Sequence, residues 1–377
     1  MRNIKISIIT VSLNADQTIE KAIKSVLSQS YDNIEYILID GGSTDKTVEI
    51  IRKYEENIDY WISEPDSGIY DAMNKGLDCC TGDIVAFLGS DDYYLDGVLE
   101  YVANCFKNMD GLDVLCGEVL VDKCGELCEH YIPWEEEPER LREGFMWYCH
   151  QGVFSRKACF EQCGVFNTEY KIAADYDWLL RVYNKGRTIR YFPEKLCVFG
   201  YGGASSDPMK AIPECRRIAE KNALGLYERK ELRYSEYEKL LKNIKCTISK
   251  QYVNLYMDNR DGIQITKKDG SHNLNLYKMY SIFGAGKMGI GCLRILEVLG
   301  INVGCFWDNS EGKWGKRIEG IFVRNPKEIL KEDTFIIVAS QYYEDDIVDQ
   351  LNGMGLCEGV NFIRLSEVFD QINVTKI

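Results

Sequence analysis

Short apolar runs alternate with stretches of helical spacing from the start of the chain, and the alternation reads βαβαβαβ. Ile6 to Val11 predicts a first strand, and Ile19, Ile23, Val26 and Leu27 then recur on one helix face. Ile34 to Ile39 predicts a second strand, closed by Asp40 and the polar loop Gly41-Gly42-Ser43-Thr44-Asp45. Ser43 or Thr44 can cap the helix that follows, which shows Val48, Ile51 and Tyr54 on one face. Tyr60 to Ile62 is a third strand and Gly68 to Cys79 a third helix; Asp83 to Leu88 is a fourth strand, running into Gly89-Ser90-Asp91-Asp92. Strands separated by helices imply a mostly parallel sheet covered by helices.

Beyond residue 110 the regularity gives way to a mixed region. It holds a hairpin from Cys116 to Tyr131, the aromatic run Phe145-Met146-Trp147-Tyr148 and a helical stretch from Ala173 to Tyr183. Residues 207–255 read as a pair of charged helices, in which 209–250 carry eleven Lys or Arg against six Glu. Residues 256–277 are polar, with two Asp-Gly pairs and no core pattern, and read as a linker. A second, smaller α/β domain is expected over 278–377, leaving 1–206 as the first. In the second domain Met279 to Phe283 enters Gly284-Ala285-Gly286-Lys287-Met288-Gly289, and after a helix the strand Ile301 to Trp307 ends in Asp308. A further strand, Thr334 to Ala339, precedes a helix from Glu344 to Met354.

Composition narrows the functions open to such a chain. With 377 residues and 45% apolar content there is material for two cores. A net charge of -14 argues against general nucleic-acid binding, which draws on a basic face and released counterions. The start of the chain lacks the features of a signal peptide, and no run of about 18 apolar residues could span a bilayer. A cytoplasmic protein is expected, with membrane contact at most peripheral through the basic segment 209–250. Fifteen cysteines in scattered apolar contexts suit a reducing compartment without disulfides. Cys116, Cys124, Cys128 and His130 lack the paired knuckles of a zinc site and read as part of the hairpin.

In an open parallel sheet, ligands bind outside the carboxyl ends of the strands. Thr10 and Val11 end the first strand, Asp40 the second, and Asp91 with Asp92 the fourth, so all are expected along one edge. Adjacent carboxylates raise one another's pKa unless a cation compensates, and a divalent metal is the economical reason for the pair.

The stretches ISIITVSLN, SVLSQSYDNIEYILIDGGSTDKT, EPDSGIYDAMNKG and TGDIVAFLGSDD resemble, in that order, the nucleotide-binding half of family 2 glycosyltransferases. The likeness covers roughly residues 4–205 and sits nearest the branch that builds cell-surface polysaccharides such as O-antigen and capsule. It implies an α/β fold of the GT-A type, a Rossmann-like mostly parallel sheet with a mixed acceptor half. It also implies inverting transfer from a nucleotide-diphosphate sugar to a glycan or polyprenyl-linked saccharide, with Mn2+ or Mg2+ as cofactor.

By the same resemblance Asp40 meets the nucleotide base, with Thr10 and Val11 lining its pocket, and Asp91 and Asp92 bind the metal. Asp66 and the segment Tyr70 to Gly76 stand where relatives carry Ala-Arg-Asn; Met73 replaces the arginine, and Lys75 is either its substitute near the diphosphate or an exposed lysine. Asp175 is the expected base, although Ala174 stands where relatives often have Glu; Asp177 is the alternative base, and a helix cap the plainer reading of Asp175. His150 and Gln151 are donor or acceptor contacts, or His150 is a structural histidine. Gly203, within Gly202 to Ser205, belongs to a loop near the site, and Trp147, Tyr148 and Trp178 either stack on sugars or fill core.

In the carboxy-terminal domain Gly284, Gly286 and Gly289, with Asp308 about twenty residues on, fit a dinucleotide fingerprint. No catalytic Lys-Tyr pair follows, and 308–321 resembles domains that bind nucleotide sugars in sugar-modifying acyltransferases. Nucleotide binding without redox chemistry is expected, with NAD or a bare scaffold as the other readings. Three rival functions remain: a nucleotidyltransferase, although its Gly-rich basic loop is replaced by Val11-Ser12-Leu13-Asn14; an NAD-dependent oxidoreductase; and a non-catalytic nucleotide-sugar sensor.

Overall fold

The computed structural model describes residues 4–123, 125–129, 138–144, 146, 148–200, 208–258, 263–268, 279–332, 334–340 and 342–376. The chain forms two compact units, Met1–Glu231 and Leu232–Ile377.

In the first unit the strands are β1 (Ile6–Ser12), β2 (Ile34–Asp40), β3 (Tyr60–Ser63), β4 (Ile84–Gly89), β5 (Tyr93–Tyr94), β6 (Val114–Lys123), β7 (Glu126–Glu129), β8 (Val153–Arg156) and β9 (Ile189–Gly200). Its helices are α1 (Ile19–Leu27), α2 (Thr47–Arg52), α3 (Ile69–Cys79), α4 (Val98–Asn108), α5 (Lys157–Cys163), α6 (Ala174–Asn184) and α7 (Pro208–Glu228). The sheet runs β3-β2-β1-β4-β8-β6-β9-β5, with β7 paired to β6. Its first four strands are parallel to one another; β8 then runs antiparallel to both β4 and β6. The expected α/β sheet with a parallel first half and a mixed second half is what the chain forms, and Val114–Lys123 with Glu126–Glu129 is the expected hairpin.

Period two explains why β1 holds the centre. Ile6 and Ile8 face a core layer shared with α1 and α4, while Ile9 and Val11 face another shared with α3 and α6. Both faces are covered, as a parallel sheet requires. Register then does the functional work: Ser12 pairs with Asp40, Asp40 with Ser63, and Val11 with Gly89. The carboxyl ends of the four parallel strands are therefore level.

In the second unit the elements are α8 (Tyr234–Asp258), β10 (Ile263–Lys267), β11 (Tyr280–Phe283), α9 (Lys287–Val298), β12 (Val303–Trp307), β13 (Arg317–Ile318), β14 (Ile321–Arg324), β15 (Phe335–Val338), α10 (Glu344–Gly353), β16 (Phe362–Arg364), α11 (Leu365–Asp370) and β17 (Ile372–Lys376). A six-stranded sheet runs β13-β14-β12-β11-β15-β16 and is parallel apart from the β13–β14 hairpin.

Two readings of the middle of the chain change. The charged helical segment is divided, α7 belonging to the first unit and α8 to the second. Part of the expected linker is a strand: Ile263–Lys267 pairs antiparallel with Ile372–Lys376, a partner more than a hundred residues away that no local pattern could reveal. Several of the basic residues of 209–250 are ion-paired, most of them with glutamates of the same segment. Arg216, Arg217, Arg229, Arg233, Lys242 and Lys245 all form ion pairs, the last two with Asp345 and Asp370. No helix among the described residues is long and apolar enough to cross a membrane, and the described cysteines are free thiols.

Candidate active site

The acidic turn after β4 is built by close approach. A Cβ on Gly89 would stand 2.5 Å from Asp92 Oδ2 and 2.8 Å from Asp91 Oδ1, so only glycine lets both carboxylates fold back over the strand end. Asp91 is exposed and Asp92 is buried. Asp92 accepts hydrogen bonds from Gly200 N (2.9 Å), Gln151 Nε2 (2.9 Å) and Gly89 N (3.2 Å). Burial, and then the charge of Asp91, nevertheless push its pKa up to about 6, because three neutral donors do not replace lost hydration. Gly200 is pressed equally close: a Cβ there would meet the Asp91 carbonyl oxygen at 2.5 Å.

Those residues fit a divalent metal that also binds a ligand. Among the described residues no group of three or more His, Cys, Asp or Glu could hold a metal unaided. Two carboxylates completed by phosphate oxygens and water are an ordinary magnesium-type set. An uncompensated carboxylate pair in a cradle that Gly89 keeps open is what such a set needs.

Gln151 leads to the second half of the site. The turn His150–Gly152 sits between the aromatic run and β8, so Gln151 reaches Asp92 while His150 Nδ1 lies 3.6 Å from Asp175 Oδ2. Burial opposes protonation of His150, yet Asp175, Asp92 and Asp91 together raise its pKa above the ordinary value. Asp175 opens α6, and its Oδ1 accepts from the Tyr70 hydroxyl (3.0 Å) and the Tyr176 amide (2.9 Å). The helix start is held by Glu214, whose carboxylate accepts from the amides of Lys171, Ile172 and Ala173 at 2.9–3.1 Å. Tyr70 also donates to the Ile172 carbonyl at 2.7 Å. Tyr70 and Glu214, which hold Asp175 and the turn before it, are residues to which the sequence reading gave no role. Tyr70 looks like an apolar helix position, and Glu214 is one of several glutamates in a charged helix.

The nucleotide side differs from expectation in several places. Thr10 and Val11 are buried within the sheet, and Thr10 Oγ1 accepts from the Tyr36 hydroxyl at 3.2 Å, so their side chains do not line an open pocket. Asp40 is wholly buried and already accepts from Ser12 Oγ, Gly42 N, Ser43 N, Ser43 Oγ and Ser63 Oγ at 2.5–3.1 Å. Burial alone would raise its pKa; these donors bring it below the usual value. With its lone pairs taken, Asp40 pins the loop rather than meeting a base. Asp66 is the carboxylate at this end of the edge. Its Oδ1 accepts from Gly68 N at 2.8 Å, and its Oδ2 stands over Gly41, 2.4 Å from where a Cβ would be, beside the exposed Leu13.

Met73 packs in the core, so it does not fill the arginine's place near a diphosphate. Lys75 is already paired with Glu64 at 2.7 Å. Asp177 is bound by Arg181 at 2.9 Å on another face of α6, lining a groove with Asn222 and Gly225, so it is not an alternative base at this edge. Trp178 is core: it stacks on Phe160 at 4.1 Å and 13°. Tyr148 is buried as well. Cys124, His130, Trp147 and the loop Gly202 to Ser205, with Gly203, lie outside the described residues.

In the second unit Gly284 adopts φ 112° and Gly289 packs so tightly that a Cβ would fall 1.7 Å from the Gly284 carbonyl oxygen. Gly286 caps α9 and has open space around it. Asp308 is held by partners of its own unit. Its Oδ2 accepts from Ala285 N (2.8 Å) and Lys313 Nζ (2.9 Å), its Oδ1 from Ser310 N (2.8 Å), and these donors hold its pKa below the usual value despite burial.

Comparison with known proteins agrees with this architecture. Residues 7–165 match the family described as Glycosyl transferase family 2, and residues 275–359 match the family described as C2185-like, N-terminal. An uncharacterized glycosyltransferase of Mycobacterium tuberculosis is 31% identical over 223 residues, 57% of this chain and 83% of that protein. A PGL/p-HBAD biosynthesis glycosyltransferase of Mycobacterium bovis is 29% identical over 226 residues, 58% of this chain and 86% of that protein. Among solved structures, S. aureus TarS 1-349 in complex with UDP-GlcNAc superposes with TM-score 0.53 at 18% identity, covering 68% of this chain and 74% of that one. Against a longer TarS chain the match spans 48% of its length, at TM-score 0.51.

Proposed function

Since the chain belongs to glycosyl transferase family 2, we propose that it transfers a sugar, with inversion, from a nucleotide-diphosphate donor to a glycan or polyprenyl-linked saccharide in cell-surface polysaccharide synthesis. One observation carries the reading. Asp91 and Asp92, at the end of β4, are joined through Gln151 and His150 to Asp175 at the start of α6, which puts a metal-type carboxylate pair and a candidate base in one continuous site.

Each group then has a part. Asp91 and Asp92 would hold Mn2+ or Mg2+, which when bound neutralises charge on the departing diphosphate. Gln151 fixes the Asp92 carboxylate, and the amides of Gly89 and Gly200 fix it from other sides. Asp66, over Gly41 and beside Leu13, supplies the acceptor for an N–H edge of the base that Asp40 cannot offer. Asp175 removes the proton from the attacking acceptor hydroxyl, with Tyr70 hydrogen-bonded to one of its oxygens and His150 Nδ1 3.6 Å from the other. The carboxy-terminal unit binds a nucleotide or serves as a scaffold, not through Asp308.

Incubation of the purified chain with a panel of nucleotide-diphosphate sugars and Mn2+ tests the reading. Slow hydrolysis of one donor, abolished by a chelator and restored by metal, is the expected outcome. No binding and no hydrolysis of any donor would count against it.

A further inference from the structure

His150 is placed to do more than neighbour the acidic pair. Its Nδ1 faces Asp175, while its Nε2 is buried and without a hydrogen-bond partner. Trp178 Nε1 is in the same condition. Both residues line one small cavity of about 20 Å³, whose other walls are mainly apolar, Phe87 and Phe160 among them, with Ser155 and Asp175 as the further polar residues. Two buried nitrogens without a partner, on residues that line one largely apolar space, call for a shared partner, since a buried polar group without one is costly. About 10–15 Å³ is enough for one water, provided two or more polar groups can hold it.

We propose that His150 is a positioning residue for Asp175, locked from behind by a single buried water that it shares with Trp178. The direction of the hydrogen bonds follows from chemistry. Indole N–H can only donate, so the water accepts from Trp178 and has its own hydrogens to give. When the imidazole is neutral, one of them goes to His150 Nε2; when it is protonated, as the carboxylates around it favour, Nε2–H donates to the same water. In either form a proton is held on Nδ1, aimed at Asp175 Oδ2, while Tyr70 donates to Oδ1. With Oδ1 hydrogen-bonded to Tyr70 and Tyr176 N, and the His150 N–H aimed at Oδ2 from 3.6 Å, the carboxylate is turned one way toward the acceptor. The stacking of Trp178 on Phe160 keeps the indole from turning its N–H elsewhere.

The role given to His150 rests on Asp175 being the base; the water does not, and the tests separate the two. A high-resolution crystal structure of the full chain without ligand is expected to show one ordered water within hydrogen-bond reach of both nitrogens. The chain has three histidines, so the side-chain nitrogens of His150 can be followed by 15N NMR. At a pH where His150 is neutral, the wild type is expected to carry its proton on Nδ1, and Trp178→Phe, which keeps the stacked ring and deletes the N–H, is expected to shift that tautomer balance. In transfer assays Trp178→Phe should lower kcat about tenfold and move the pH profile at unchanged donor KM, and His150→Ala should lower kcat about 10²-fold, the low end of what a positioned base contributes. An empty cavity overturns the proposal, as does a Trp178→Phe protein with the wild-type His150 spectrum. Should Trp178→Phe fail to fold, the crystallographic water alone decides. Full activity in Asp175→Asn would remove the base instead and leave the water in place.

Discussion

In both units of the chain an aspartate follows a parallel strand at the carboxyl edge of a sheet, and the two aspartates are treated in opposite ways. Asp308 receives Lys313 and two backbone amides, and its pKa falls. Asp92 receives three neutral donors and a second carboxylate, and its pKa rises to about 6. A compensated carboxylate is a structural lock; an uncompensated one stores a cost that a cation can relieve. The two stand at different places, Asp308 directly after β12 and Asp92 three residues past β4, and they differ in their partners as well. The contrast supports the metal role proposed for Asp91 and Asp92 and a structural role for Asp308.

The largest effect expected from this contrast is in the base. Asp175→Asn should lower kcat by about 10²–10⁴-fold with donor affinity unchanged, measured by steady-state transfer and calorimetry; retention of activity would remove the residue from its role.

Asp92 makes the next prediction through linkage. A carboxyl whose folded pKa lies above its unfolded value binds more protons when folded, so stability falls as pH rises from about 4 through about 6. Over that window the loss is roughly 2–3 kcal/mol. A bound divalent ion reverses it. Millimolar Mn2+ should therefore raise Tm much more at pH 7 than at pH 5, and equal gains at both pH values would break the distinction between the two aspartates.

Glu214→Ala removes the acceptor for three amides ahead of Asp175 and should cost about 1–3 kcal/mol in urea unfolding, with a drop in kcat as the turn loosens. The smallest effect belongs to Asp308. Its lowered pKa means a stabilising contribution present above the unfolded pKa and lost as pH falls through the folded one, below about pH 4. Asp308→Asn should cost about 1 kcal/mol at neutral pH and leave sugar transfer unchanged. Loss of transfer in that variant would mean the second unit takes part in the chemistry.

Much of this was readable from spacing. The period-two runs and helical faces of residues 6–89 predict the strands, the helices and hence the shared edge, because local propensity and burial agree along a parallel sheet. Burial of Thr10, Val11 and Asp40 was not readable, since a strand-end residue can face the pocket or the sheet and only the neighbours decide. Trp178 and Asp177 show the same limit within one helix: the helical pattern places both, but Phe160 makes the first core and Arg181 turns the second away from the site.

The order of residues along the chain therefore settled the α/β alternation, the strand ends at Val11, Asp40 and Gly89, and the pair Asp91–Asp92, all of which rest on local sequence or on a repeating period. Only the folded chain decided which charges stay uncompensated. Gln151 against Asp92, Tyr70 and His150 against Asp175, and Lys313 against Asp308 depend on side chains meeting across the packed core or the turn of a loop. Electrostatic compensation is a property of distance and burial, and neither is written in the order of residues.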